Sequence, residues 1–533
     1  MPSIQQYHVH DFELKSETQH ANPFKVALNA TFVHESGDRV VNLPGFYDGD
    51  GTYKIRFSPS IEGEWKGLTN SEDPALHRVE LEPVECVRNE NPRLHGVLQT
   101  DPINEHRFAW EDGDPFVTLG FECDWLFSYH QKSPELCAKH VKLVGERGFN
   151  YVVMNVYAHK GFSNPEAGRN RDKKDERPID PSVVYGPPQI YAWAGSNEEP
   201  DHSTINVEFF RDYDAMMAIL HERGIVAHIM IQVQNKHVNW PTRLSSDDDL
   251  YWRYVVARYQ AYGNLVWDVG KECFNLHRET GGHAYTLNRI DFIRAHDAYG
   301  HLVTVHDPDG GSNGRASEVD YAVDFVSDQI HLSDVDAYNR EAIRRQRILP
   351  APYLNIEYGY ELGVDQLKTY TGRTTAPWQD VLKWTYALYA AGAYANYYYD
   401  NTSWDLIKFE PEPPGWSRYQ ALKQVLDAVP FNSMGPDNEM VTRGMCLADI
   451  GNIYLVYLPE GGDTKLDLAA IEGTEKPAGR MDYDGVTVGV EWLDILSLEK
   501  KSQTVQVNGF FTELVNPLSD TAQPCVVVVR ANA

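Results

Sequence analysis

The sequence predicts a multidomain protein in which a central (β/α)8 TIM barrel is flanked by N-terminal and C-terminal antiparallel β-sandwich domains. Three observations lead there. Between residues 100 and 430, eight short apolar runs alternate with amphipathic helical stretches. On either side, the pattern switches to apolar–polar alternation broken by tight turns. No glycine-rich phosphate fingerprint follows the first run, which sets aside an open nucleotide-binding sheet.

Residues 1–95 read as the first sandwich. FKVALNATFVH and RVVNLPGFYDG alternate apolar and polar residues, and GTYKIRFSPSIEGEWKGLT adds a strand, a turn and another strand. Asp-Gly, Ser-Pro and Glu-Gly punctuate them at short spacing. Residues 96–432 form the barrel, with strands at FVTLGF (116–121), YVVMNVYA (151–158), IVAHIMIQV (225–233), LVWDVG (265–270), LVTVH (302–306), FVSDQIHL (325–332), YLNIEYG (353–359) and YANYYYD (394–400). The intervening PELCAKHVKLVGERG, FFRDYDAMMAILHERG and DDDLYWRYVVARYQAYG are amphipathic helices, each followed by a Gly placed as a C-cap. Residues 433–533, from MCLADIGNIYLVYLPEGG to QPCVVVVRAN, return to strands and form the second sandwich.

Composition narrows the function. Of 533 residues, 42% are hydrophobic and 23% charged, which excludes a disordered chain or a coiled coil. With 48 basic and 77 acidic residues the net charge is −29, so phosphate backbones are repelled and nucleic acid is not an expected partner. No apolar run reaches the ~20 residues of a membrane helix, so no membrane partner is expected. The six cysteines are scattered without a C-x-x-C pair, so neither zinc nor a disulfide framework is indicated, and no metal or cofactor is expected. The N-terminus lacks a basic segment followed by an apolar one, so the chain as written is expected to be cytoplasmic, or periplasmic or secreted if a leader was removed. Aromatic residues reach 12%, with 12 Trp and 31 Tyr. Such rings suit the C–H faces of sugars, and equally an aromatic core.

In a (β/α)8 barrel the chemistry sits where the strands end at their C-terminal side. LVWDVGKECFN places Glu272 just beyond the fourth strand, and YLNIEYGYE places Glu357 at the end of the seventh. Carboxylates among aliphatic and aromatic neighbours are costly unless they serve a purpose. Facing each other across a ligand, such a pair can perform glycoside hydrolysis: one carboxyl group protonates the leaving oxygen, and the other attacks the anomeric carbon or activates water. A salt bridge is the competing account, because Lys271 adjoins Glu272. Other strand ends carry groups suited to sugar hydroxyls. Asn155 and Tyr157 end strand two, Gln234 and Asn235 follow strand three, His306 and Asp307 end strand five, and His331 lies near the end of strand six. Tyr358 follows Glu357 and is placed to orient it. Trp125 and Trp404 are candidates for a sugar platform or for buried packing. The 160–206 loop, with its NPEAGRNRDKKDERP run, is too long for a connector and is expected to build the substrate site. DPDGGSN (307–313) carries part of a calcium-loop pattern but lacks its downstream Glu. No G-x-S-x-G elbow or Walker loop occurs.

These contexts carry a resemblance. VWDVGKE is similar to the acid/base signature, and LNIEYGYE to the nucleophile signature, of the large clan of retaining glycoside hydrolases with glutamates after strands four and seven. More narrowly, nearly the whole chain resembles a bacterial group of apiosidase-like glycosidases. GTYKIRFSPSIEGEW matches the first sandwich of that group, FAWEDGDPFVTLGFECDWLF its opening barrel strand with Asp124 and Trp125 at the end, and NIYLVYLPEGGDTKLDL its tail. The resemblance implies a retaining glycoside hydrolase with Glu272 as acid/base and Glu357 as nucleophile. The missing leader and the oligosaccharide scale together suggest an exo-acting enzyme that finishes imported fragments, expected to come from plant or algal polysaccharides. Asp124 and Trp125 would touch the sugar. One departure stands out: the clan usually has Asn before the acid/base Glu, binding the sugar 2-OH, and this chain has Lys271. The 2-OH contact must then come from elsewhere, or the bound sugar differs. A non-catalytic carbohydrate-binding protein on the same scaffold, or a transglycosylase, would share most of these features. An oligosaccharide is the expected partner, and self-association is left open.

Overall fold

Every residue of the eight barrel strands is buried, which is why they read as continuous apolar runs rather than alternating ones. The computed structural model describes residues 1–160, 180–309, 316–363, 375–470 and 486–531, with the backbone of four two-residue strands between them. The NPEAGRNRDKKDERP run and the end of DPDGGSN lie largely outside the described residues.

The barrel strands are β1 (Leu119–Glu122), β2 (Tyr151–Asn155), β3 (Val226–Val233), β4 (Leu265–Lys271), β5 (Val303–Thr304), β6 (Val326–Asp328), β7 (Tyr353–Asn355) and β8 (Tyr394–Tyr399). They pair in parallel in sequence order, and β8 returns to β1. Only the β5–β6 seam lacks a continuous ladder. It is stitched by a bridge between His306 and Ser327, and by the Thr304 hydroxyl, which donates to Phe325 O at 2.8 Å. The first apolar run divides: Pro115–Phe116 joins a small antiparallel sheet with Phe108–Trp110 and Leu98–Thr100, and the barrel strand starts only at Leu119.

The helices are α1 (Leu126–Lys132), α2 (Pro134–Glu146), α3 (Val207–Glu222), α4 (Ser246–Tyr259), α5 (Cys273–Thr280), α6 (Ala284–His296), α7 (Val335–Ile348), α8 (Trp378–Ala390) and α9 (Trp416–Asp427). Helix α4 shows why such segments start where they do. The Ser245 hydroxyl accepts from Asp248 N, and three aspartates in the first turn face the positive end of the helix dipole. Gly224 ends α3 at φ +63°, as a C-cap should. Gly263 differs from the expectation. Helix α4 stops at Tyr259, and Gly263 is needed because a Cβ there would meet Gly96 O at 2.3 Å.

The N-terminal sandwich stacks a five-stranded sheet on a three-stranded one, and the C-terminal sandwich is built on a six-stranded sheet beside a two-stranded one. Each has its own apolar core. Arg107 ties the barrel floor to the C-terminal sandwich by donating to Phe431 O, Gly392 O and Met434 O. The first sandwich is joined by paired guanidinium groups. Arg56 and Arg258 both donate to Asp214 on α3, Arg56 also holds Asp11, and Arg258 holds Asp48 at 2.9 Å. Removing a carboxylate shared by two buried cations leaves both undercompensated. Asp214→Ala should therefore cost about 3 kcal/mol in chemical denaturation; a loss below about 1 kcal/mol would mean that the joint holds without it.

All six cysteines are buried free thiols. Among the described residues, no helix is long and apolar enough to cross a membrane.

Candidate active site

Strand β4 ends at Lys271, and Glu272 follows it; the two consecutive charged residues serve different partners. Glu272 adopts left-handed backbone angles, φ +50° and ψ +53°, rare for a residue with a Cβ. The conformation is fixed by the chain that follows: Cys273 N donates to His306 O at 3.0 Å and Phe274 N to Asp307 O at 3.1 Å, locking the first turn of α5 onto the end of β5. Glu272 Oε2 accepts from Asn235 Nδ2 and, at 3.3 Å, from Asn275 Nδ2. Lys271 turns away to strand β1. Its ammonium lies 2.9 Å from Glu122 and 3.1 Å from Asp124, so the neighbouring lysine forms its close ion pairs there rather than with Glu272.

Glu357, two residues past β7, is buried and densely contacted. Its Oε1 accepts from Gln329 Nε2 at 2.8 Å and from Tyr360 Oη at 2.5 Å, with His331 Nε2 at 3.6 Å. Its Oε2 lies 4.0 Å from both Lys271 Nζ and His306 Nε2. The two glutamates thus sit in opposite fields. Burial pushes the Glu272 carboxyl group up, and the charge of Glu357 pushes it further, against Lys236 and Lys271. Burial also works against ionising Glu357, but the His331 ring and the Lys271 ammonium outweigh it and hold the carboxyl group well below the usual range. The surroundings therefore drive the two carboxyl groups apart, Glu272 toward its acid and Glu357 toward its anion.

Beneath them, polar groups link the strands. Tyr151 Oη and His228 Nδ1 are 2.7 Å apart, His228 Nε2 and Asp268 Oδ2 are 2.7 Å apart, and Asp268 Oδ1 accepts from Gly270 N and His306 N. This chain fixes the end of β4 against β5. His306 itself is fully buried, neither ring nitrogen makes a hydrogen bond among the described residues, and burial together with Lys271 lowers its pKa to about 4. A neutral imidazole beside Glu357 can offer one donor and one acceptor to a hydroxyl-rich ligand.

The remaining predicted residues divide. Asp124 faces Lys271, and Asn155 is buried with both side-chain amide atoms lacking a partner among the described residues. Gln234 is half-buried between Gln232 and Arg243. Tyr157 packs on Trp193 and Phe209 and points its hydroxyl to Asn197 at 3.4 Å. Asp307, at φ +46°, donates its backbone N–H to Ser327 O. Trp125 and Trp404 are both buried, with Lys236 Nζ 5.7 Å from one ring and 5.5 Å from the other. Tyr358 is a correction. Its hydroxyl pairs with Thr385 on α8 at 2.7 Å, and Tyr360 is the tyrosine that holds Glu357. Gln329, Tyr360, Tyr398, Glu122 and Lys236 were not singled out from sequence. A polar residue inside an otherwise apolar strand run was the available signal for Glu122 and Gln329.

Residues 103–432 match the family described as "Apiosidase-like, catalytic domain". The chain belongs to this family. The apiosidase-like barrel is preceded by a match to a domain of unknown function, DUF5060, over residues 3–72. The fold of the apiosidase-like chain is also that of solved structures. A candidate glycoside hydrolase from Bacteroides vulgatus superposes with TM-score 0.78 at 19% identity, covering 100% of each chain. A glycoside hydrolase family 5 protein from the same species gives 0.59 at 16% identity over 83% of this chain and 94% of its own. A further glycoside hydrolase gives 0.58 at 14% identity over 84% and 99%. No curated protein matches the apiosidase-like chain.

Proposed function

We propose that the protein is a retaining glycoside hydrolase that removes terminal sugars from oligosaccharides of plant or algal origin. The observation that carries the mechanism is the opposed pair of carboxyl groups: Glu272 biased toward its acid, Glu357 toward its anion. Glu357 attacks the anomeric carbon while Glu272 protonates the departing glycosidic oxygen, giving a covalent glycosyl-enzyme. Glu272, now a carboxylate, takes a proton from water, and the water oxygen displaces Glu357 from the sugar. Asn235 holds Glu272 in place, and Gln329 and Tyr360 fix one oxygen of Glu357, leaving the other for attack. His306 and Asn155, with unsatisfied buried polar atoms, are the candidates for the sugar hydroxyls.

The test is a panel of oligosaccharides and aryl glycosides, with released sugar read by mass. A single terminal sugar released by the wild type supports the reading, whereas binding without release supports a carbohydrate-binding protein. With an active substrate in hand, kcat/KM against pH should be bell-shaped. Activity falls on the acid side as Glu357 gains a proton, below the usual carboxylate range. It falls on the basic side as Glu272 loses one, above that range. A profile with no basic limb would remove Glu272 from its role, and an acid limb at or above the usual carboxylate range would remove Glu357 from its own.

A further inference from the structure

Lys271 occupies the position just before the strand-four glutamate, and its surroundings define what it can do there. An ammonium group has three hydrogens. The oxygens around Nζ are Glu122 Oε1 at 2.9 Å, Asp124 Oδ1 at 3.1 Å and Tyr398 Oη at 3.3 Å, all fully buried. With its hydrogens directed at fixed protein oxygens, Lys271 has none to spare for a sugar hydroxyl. What it retains is charge, and the Glu357 Oε2 that receives no hydrogen bond among the described residues lies 4.0 Å away.

We propose that Lys271 is a positioning residue for Glu357: clamped by Glu122 at the end of strand β1 and Asp124 just past it, it is the fixed positive charge against which the attacking carboxylate is held. This rests on the reading of Glu357 as nucleophile. The other groups around Glu357 act from other directions. His331 beyond β6 also lowers the carboxyl group, but from 3.6 Å off Oε1, the oxygen to which Gln329 and Tyr360 donate; His306 on the β5 side is a buried neutral ring, and Tyr398 on β8 is itself a partner of Lys271. The acidic neighbours, Glu272, Glu122 and Asp124, oppose ionisation of Glu357. Burial and the Asp124 charge hold Glu122 well above the usual range. One ammonium therefore serves two anions, Asp124 and Glu357. The clamp matters because an unanchored lysine could swing to Glu272 and favour loss of the proton that the first step needs.

The test reads Glu357 directly and needs no substrate. Protein carrying carboxyl-13C glutamate is titrated by NMR, and Glu357 is assigned as the resonance missing in Glu357→Gln. In Lys271→Met, Glu357 should titrate about one to three pH units higher than in the wild type. The double variant Lys271→Met/Asp124→Asn removes the carboxylate that the single change leaves unpaired, and should show the same displacement if the single variant folds poorly. An unchanged Glu357 titration in a folded variant would overturn the proposal. So would failure of both variants to fold, which would make Lys271 a requirement of the barrel itself. A silent substrate panel would defeat the hydrolase reading and leave the titration result standing, so the two failures are separable.

Discussion

Glu357→Gln should lower kcat/KM by on the order of 10^4-fold or more while the protein stays folded. The amide keeps the shape of the carboxyl group, and its oxygen can still accept from Gln329 and Tyr360. What it loses is the negative charge that bonds to the anomeric carbon. Glu357→Gly with added azide provides the complementary result. The small anion can enter the space left by the side chain and attack from the same face, so activity should return, yielding a glycosyl azide of inverted configuration. Azide rescue of Glu357→Gly that instead gave a retained product would place the nucleophile elsewhere.

Glu272→Gln should behave differently according to the leaving group. For a substrate whose departing oxygen needs a proton, the loss should be about 10^3 to 10^4-fold, the upper part of the range for a positioned general acid. For a dinitrophenyl glycoside, whose leaving group departs as a stable anion, the first step should be almost spared. The glycosyl-enzyme should then accumulate, because deprotonation of water is still impaired. The basic limb of the pH profile should disappear with the carboxyl group. Equal losses on both substrates would show that Glu272 acts through structure and not as an acid.

How far the sequence carries these expectations depends on what each feature requires. The eight strands were legible because double burial leaves continuous apolar runs, and Glu272 and Glu357 because each breaks such a run at its end. Strands β5 and β6 are shorter than their runs: the chain leaves the sheet early, at the seam where His306, Gln329 and His331 approach Glu357. No local pattern encodes such a departure. The substitution of Tyr360 for Tyr358 has the same origin. Adjacency in sequence suggested Tyr358, but that side chain is directed to α8, and the tyrosine two positions further on reaches the carboxyl group. Lys271 was visible as a departure from the clan pattern, yet its role was not. Its partners, Glu122 and Asp124, are almost 150 residues away, and only closure of the barrel brings β1 and β4 to the same lysine. The left-handed backbone of Glu272 was likewise invisible, since it is enforced by hydrogen bonds from α5 to the end of β5.

The central claim is a covalent bond between sugar and Glu357, and the most direct measurement is the mass of the trapped protein. A 2-deoxy-2-fluoro glycosyl fluoride of the sugar that the panel identifies should form the intermediate and hydrolyse it slowly. The account predicts one glycosyl unit per chain, on the peptide containing Glu357, and no adduct in Glu357→Gln. Label on a peptide from another strand end, or turnover of the natural substrate to an inverted product with no adduct, would contradict it.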